Sequence, residues 1–218
     1  MVQFSDLTGL LLAVVAISLI PFVAMVATSY AKIVVVLGLL RNALGVQQVP
    51  PNMVLNGIAV LVTAYVMAPL GMQAMQAMQN NRAAPGTDTS TLVLNVFDAG
   101  KEPFRAFLKK HAHEREKRFF VRSAAAVWPR EMAAKVREDD LIVLAPAFTL
   151  TEMADAFKIG FLLYIAFVVV DLVIANVLMA MGLNQVQPTN VAIPFKLLLF
   201  VAMNGWSTLI HGLVLTYR

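Results

Sequence analysis

Apolar and polar positions along the chain fall into long blocks, and the blocks predict the architecture. Four apolar segments stand out: about Leu7 to Leu40, Met53 to about Met78, Ile159 to Met181 and Ile193 to Leu215. No charged residue occurs from Leu7 to Ala31, Asn42 to Asn81, Leu172 to Phe195 or Leu197 to Tyr217. About 20 predominantly apolar residues cross a bilayer. The expected fold is therefore all-α, built from integral-membrane-type helical hairpins with four nominal apolar segments. The first segment is too long for one simple span and contains Pro21, Lys32 and Gly38. Polarity divides the chain into a first apolar hairpin over 1–79, a polar helical insert over 80–146 and a second apolar hairpin over 147–218.

The two connectors at the hairpin tips are uncharged and alike. GVQQVPPNMV begins at Gly45 and GLNQVQPTNV at Gly182. Gly45/Gly182, Gln48/Gln185, Val49/Val186, Pro51/Pro188 and Val54/Val191 recur at the same offsets. A duplicated hairpin explains this, and so does convergence, since Gly and Pro punctuate any tight turn. In either case Gly suits the end of a helix and Pro the start of the next.

The insert has twelve Lys/Arg and nine Asp/Glu, with Phe104, Phe107, Leu108, Phe119 and Phe120 at helical spacing between them. It reads as a small soluble helical subdomain, preceded by the linker RAAPGTDTST. At this length it lies beyond the loops for which positive charge sets topology. Lys32 and Arg41, flanking the short first connector, place both connectors on the cytoplasmic side and the insert with both termini on the other.

Composition agrees. The 218 residues are 59% hydrophobic and 14% charged, with a net charge of +4. Soluble domains carry about 25% charge. Cysteine is absent, which excludes disulfide and thiol chemistry. The start, MVQFSDLTGLLLAVV, has an acid before its apolar core and no basic region, so no cleaved signal peptide is expected.

No catalytic constellation is present. Gly100–Lys101 lacks the glycine run and following Ser/Thr of a phosphate loop. His111 and His113, two apart on a helix, point to different faces, so no metal site is expected. Acids interleave with the bases of the insert, giving a solvated ionic face and no nucleic-acid surface. No cofactor is implied. Lys32, Asp171 and Lys196 sit within apolar surroundings, where an unpaired charge is costly. They form either an ion pathway or a structural charge pairing. The latter is favoured because no further acid continues a relay. Asp155 and Lys158 form an expected i, i+3 pair. Met72, Met75 and Met78 form a stripe suited to packing against another helix. Met179, Met181 and Leu183 cluster at a glycine turn and read as ordinary hairpin packing; only copies converging on an axis would turn such flexible apolar side chains into a seal.

Three blocks carry a wider resemblance: TSYAKIVVVLGLLRNALGVQQVPPNMVLNGIAVLVTAYVMAPLG from Thr28, FKIGFLLYIAFVVVDLVIANVLMAMG from Phe157 and IPFKLLLFVAMNGW from Ile193. In this order, over nearly the whole chain, they resemble the FliP/YscR family, the R-type export-apparatus proteins of type III secretion systems. The segment AGKEPFRAFLKKH in the insert is a looser match.

That resemblance implies a homo-oligomer of five copies, joined by S-type and T-type export proteins in a conical helical assembly. Unfolded protein substrates would pass through its centre. The site would be the bacterial inner membrane at the base of the secretion apparatus. The cone would be lifted largely out of the bilayer, with the insert on the periplasmic side, meeting needle or inner-rod subunits. The family's Met-rich constriction maps onto Met181, Gly182 and Leu183. Polar Asn184 and Gln185 follow where many members continue with methionine. Gln47, Gln48, Pro50, Pro51, Gln185 and Pro188 would form rings of hairpin tips in contact with neighbouring copies. Asn204 replaces a common Asp, and Trp206 is expected at an interface. The start of the chain and the ending IHGLVLTYR favour the virulence-type branch over the flagellar one. A transporter built from two hairpin repeats is the alternative in another class, with Asp171 and Asn176 as its candidate polar site.

Overall fold

The structure is a computed structural model that describes residues 11, 14, 15, 18, 19, 21–46, 48–80 and 89–218. Among these every regular element is helical: α1 Tyr30–Ala43, α2 Asn52–Asn80, α3 Thr89–His111, α4 Glu114–Val127, α5 Arg130–Ala133, α6 Leu141–Ala180, α7 Pro188–Ala202 and α8 Gly205–Leu215. Residues 21–26 are helical as well. The first apolar segment thus breaks at 27–29. There the Thr28 hydroxyl turns back onto the Ala24 carbonyl and accepts the Tyr30 N–H. Gly38 lies inside α1 and breaks nothing.

Packing groups residues differently from polarity. One compact unit comprises Met1–Ala31 and Ala64–Glu152, the other Lys32–Thr63 and Met153–Arg218. The first unit is organised around Phe107, Leu108, Leu144, Ala147 and Phe148, all buried. The Phe107 and Phe148 rings lie 5.5 Å apart. The first half of α6 enters this core through Val143, Leu144, Ala147 and Phe148, at helical spacing. Pro146 sits in its second turn and does not end it. The buried Thr151 hydroxyl accepts the His113 N–H at 2.9 Å, just before α4. Lys117 of α4 is buried and donates to Glu114 at 2.6 Å and to the Lys109 carbonyl near the end of α3. Lys109 in turn pairs with Asp139 at 2.8 Å.

The second unit centres on α1, which buries Ile33, Val36, Leu37, Leu40 and Ala43 on one broad stripe. Leu40, Ala43 and Leu44 cluster with Phe167 of α6 and Phe200 of α7. Helix α6 approaches α1 closely because Gly160 has no Cβ; one built there falls onto the Leu39 side chain. The fourth apolar segment is two helices, α7 and α8, bent by 62°. Asn204 makes the bend in the left-handed conformation, φ 53°. Asn tolerates that region better than other side-chain-bearing residues. A Cβ at Gly205 would strike the Phe200 ring. Trp206, expected at an interface, packs edge-on to Phe200 at 5.4 Å inside this unit.

Two tests follow. Gly160→Val should destabilise the purified protein by about 1–3 kcal/mol through overpacking against Leu39, while Gly212→Ala, with open space at its Cβ, should not. Thermal unfolding in detergent reads both. The Lys117 hydrogen bond holds the Glu114 carboxyl below its usual range, and the Lys109 hydrogen bond does the same for Asp139. Both ties therefore stand at neutral pH and are lost as pH falls through the lowered carboxylate values. Hydrogen exchange in α3 and α4, corrected for intrinsic rates, should accelerate only below about pH 4.

Candidate functional site

The described hairpin tips use the same helix-ending geometry. Gly45 and Gly182 both have positive φ, 80° and 74°. After α6 the Leu183 N–H bonds to the Leu178 carbonyl and the Gly182 N–H to the Met179 carbonyl, each at 3.0 Å. This pair of bonds satisfies the last carbonyls of the helix through a left-handed glycine. After α1 the Gly45 N–H bonds to Asn42 at 3.0 Å. Pro51 precedes α2 and its carbonyl accepts from Val54 and Leu55. Pro188 is the first residue of α7, where its missing N–H costs nothing. The two connectors thus share the left-handed glycine that ends the preceding helix.

Met181, Gly182 and Leu183 lie at the second tip. Met179, Met181 and Leu183 are 58%, 66% and 41% exposed. The turn backbone is internally bonded while its apolar side chains project outward. Gln185 and Pro188 are exposed beside them, as are Gln48 at the first tip and Pro51; Pro50 is half-buried. Gln47 lies outside the described residues.

The two tips differ in how they are fastened. Arg41 donates to Asn52 Oδ1 at 2.6 Å and to the Pro50 carbonyl at 3.3 Å, tying the end of α1 across the first connector to α2. The equivalent position before Gly182 is Leu178, which cannot do this. The first tip is pinned by a guanidinium; the second is held by its own backbone. The sequence offered one hint of the pin, a lone cation in the last turn before an uncharged connector.

Of the three charges in the apolar segments, the structure brings two together. Lys196 Nζ donates to Asp171 Oδ2 at 2.5 Å and to the Ala43 carbonyl at 3.1 Å. Its side chain is 6% exposed, that of Asp171 42%. One ammonium therefore joins α6, α7 and the end of α1, and it meets the negative end of the α1 dipole. Close by, Ile193 of α7 packs on Gly45, where a Cβ would lie 3.0 Å from Ile193 Cγ1. Lys32 occupies the other end of α1. Its Nζ lies 3.4 Å from Thr216 Oγ1 and 4.2 Å from the Tyr217 ring centre. Among the described residues no group of His, Asp and Glu side chains is arranged to hold a metal ion.

Removing the shared ammonium should be costly. Lys196→Met strands both Asp171 and the Ala43 carbonyl, and should destabilise by about 2–3 kcal/mol, less than a fully buried pair because Asp171 is partly exposed. Asp171→Asn should cost less, since Lys196 keeps the carbonyl. Unfolding of both single variants and the double variant in detergent gives the coupling energy, and a value near zero would contradict the bond.

The FliP family pattern matches residues 12–213. The chain is 66% identical to the pathogenicity-related ORF2 protein of Xanthomonas campestris pv. glycines, covering 99% of this chain and 100% of that one. It is 65% identical to the hypersensitivity response secretion protein HrcR of Ralstonia nicotianae, again over 99% and 100%. With the Yop proteins translocation protein R of Yersinia pestis it shares 46% over 100% and 99%. With the pattern covering nearly the whole chain and these relatives aligned over nearly their entire length, the chain belongs to the FliP family.

Proposed function

We propose that this chain is a pore-forming subunit of the virulence-type type III secretion export gate. The family is one of structural secretion-apparatus proteins, not enzymes, and its virulence relatives carry secretion and translocation names. The chain is a component of such an apparatus and a membrane protein. Among the described residues, Asn52–Gln79 and Leu141–Ala180 are long and apolar enough to cross a membrane, with mean hydropathy 1.9 and 2.6. The bent pair α7–α8 makes a third span if taken as one.

The finer reading is assembly around a conduit. Five copies, with S-type and T-type partners, build a conical gate in the bacterial inner membrane. The insert faces the periplasm and meets needle or inner-rod subunits, and unfolded substrates pass through the centre. The tips at Gln47, Gln48, Pro50, Pro51, Gln185 and Pro188 contact neighbouring copies. Met181, Gly182 and Leu183 close the resting channel.

One observation carries this reading: large apolar side chains lie exposed on the folded chain. Met53, Leu61, Phe161, Leu162, Leu172, Met181, Leu198 and Val201 are all solvent-facing in the single subunit. A surface of this kind demands lipid or protein cover. Helix α6, at about 60 Å for its 40 residues, is twice the roughly 30 Å of a bilayer core. Much of it must therefore find protein neighbours. Asp171, the candidate acid of the transporter alternative, is paired with Lys196, which supports the structural reading of this charge.

The test uses the assembled complex in native membranes. Met181→Gly with Leu183→Gly should raise the resting leak of small ions while leaving particle mass unchanged. Mass measurement should give five copies with two kinds of partner. An intact particle of the double variant that stays closed removes these residues from the seal; a monomer or dimer with bound solute removes the gate.

A further inference from the structure

We propose that one face of α8 lines the water-filled part of the conduit, with Asn204, Ser207, Thr208 and His211 presented to the polypeptide in transit. This deepens the reading of the chain as a pore subunit and rests on it.

The pattern begins in the sequence. Helix α8, GWSTLIHGLVL, contains three polar side chains besides the Trp206 ring: Ser207, Thr208 and His211. His211 stands four residues after Ser207 and three after Thr208, so the three share one side of the helix. Asn204, just before the helix, stands three and four residues ahead of that pair and extends the row by one turn. All four are exposed on the folded chain. The opposite side of α8 is turned to its own unit, with Leu213 buried and Trp206 and Leu209 packed on the cluster around Phe200. Helix α8 is therefore amphipathic, and its free side is the polar one. A half-open apolar groove between α8 and α6 borders the row at Thr208, so the polar face ends where apolar surface begins. On α7 the relation is reversed. From Pro194 to Ala202 its exposed side chains are apolar, Phe195, Leu198 and Val201 among them. The two helices meet at 62°, and the bend takes the chain from a surface that needs apolar cover to one that needs water.

Hydrogen bonding decides between lipid and water. Serine and threonine are tolerated on lipid-facing helices when they bond a carbonyl one turn back. The Thr208 hydroxyl is 3.5 Å from the Met203 carbonyl, at the far limit of a bond. Ser207 and His211 bond no other group among the described residues, and the Asn204 side chain makes no cap bond. Polar groups left unmet are costly in hydrocarbon and cost nothing in water.

The chemistry of the row separates a conduit from a docking face. Hydroxyls, an amide and an imidazole both donate and accept hydrogen bonds, and α8 has no Asp, Glu, Lys or Arg. Such a face solvates an extended polypeptide without selecting a sequence or a charge. A face built for one partner would carry aromatic or arginine anchors, and the free side of α8 has neither. Position agrees as well. Helix α7 separates α8 from the second tip by 15 residues, about 22 Å. Groups that bind water are thus kept away from the apolar closure at Met181 and Leu183, and wet the path without hydrating the seal.

The complete assembly in native membranes tests this. The chain has no cysteine, so single Ser207→Cys, Thr208→Cys and His211→Cys variants can be labelled alone. Leu198→Cys on α7 and Leu162→Cys on α6, both exposed apolar positions, serve as references. A charged thiosulfonate is applied from both sides of the membrane. The α8 positions should react at least about tenfold faster than the references, because the reactive thiolate forms readily only in water. A substrate of the same secretion system, jammed in the channel by a fused folded domain, should then protect them. Particle mass checks assembly of each variant, and the nearly isosteric Ser207→Cys carries the test if the others fail to assemble. Reaction as slow as the references means that lipid or protein covers this face, and overturns the proposal. Fast reaction that the jammed chain does not slow puts the water outside the conduit, and overturns it too. If the Met181/Leu183 glycine variant leaks while the α8 positions fail either arm, the lining falls and the pore reading stands. A monomer or dimer with bound solute removes both.

Discussion

One buried ammonium organises the second unit. An unpaired charge in apolar surroundings is expensive, and so is a helix end whose carbonyls have no donors. Lys196 resolves both at once by bonding the Asp171 carboxylate and the Ala43 carbonyl. Its alkyl stem is buried while two of its three N–H donors bond protein oxygens. The same device recurs in the insert. There Lys117 bonds the Glu114 carboxylate and the Lys109 carbonyl near the end of α3. A chain with few polar side chains thus uses two buried lysines to bond carbonyls near helix ends. Arg41 performs a related task at the edge, facing the Pro50 carbonyl and the Asn52 side chain.

Much of this was legible in the residues. Long apolar blocks gave the helices; α2 spans Asn52–Asn80 against an expected Met53 to Met78. The glycine-to-proline connectors gave the turns, because positive φ at Gly45 and Gly182 and a proline at or just before the next helix are local requirements. Other features depend on neighbours remote in sequence. Pro146 and the surrounding charges suggested the end of the insert, yet α6 begins at Leu141 and runs through it, because Leu144, Ala147 and Phe148 bury themselves in the first unit's core. The break at Asn204 interrupts an unbroken apolar pattern. The Asn–Gly pair was its one local signal, and the Phe200 ring against Gly205 is the tertiary reason. Sequence indicated that Lys32, Asp171 and Lys196 needed partners. It could not name the Ala43 carbonyl or the Tyr217 ring, since backbone acceptors and ring faces leave no mark in a charge count.

The exposed apolar surface sets the terms for everything outside the chain. Helix α6 changes character along its length. Its first half buries one stripe in the first unit, whereas after Ala156 it is apolar on nearly all sides, with Phe157, Phe161, Leu162, Leu172 and Val173 exposed. A helix apolar all round is stable only when surrounded. Lipid would cover such a helix at any angle. The bent α7–α8 pair and the half-open apolar groove beside α8 instead present shaped surfaces. Shape of this kind has energetic value against another protein surface and little against fluid acyl chains.

In the pore reading, the chemistry of the second tip follows from two demands that oppose each other. A seal needs side chains that fill irregular space and yield when a polypeptide enters, which favours the flexible thioether of Met181 and the branched Leu183. The backbone carrying them must hold its place each time, without help from water in a dry lumen. The paired hydrogen bonds from Gly182 and Leu183 into the last turn of α6 meet that second demand internally. Gly182 is what allows it, because φ near 74° would strain any residue with a Cβ. A charged anchor like Arg41 at this tip would fix the loop more firmly, but would put an ion beside the apolar closure and hydrate it. Rigid backbone, compliant side chains and no charge are therefore one solution, and they explain why the two tips share their turn and differ in their fastening.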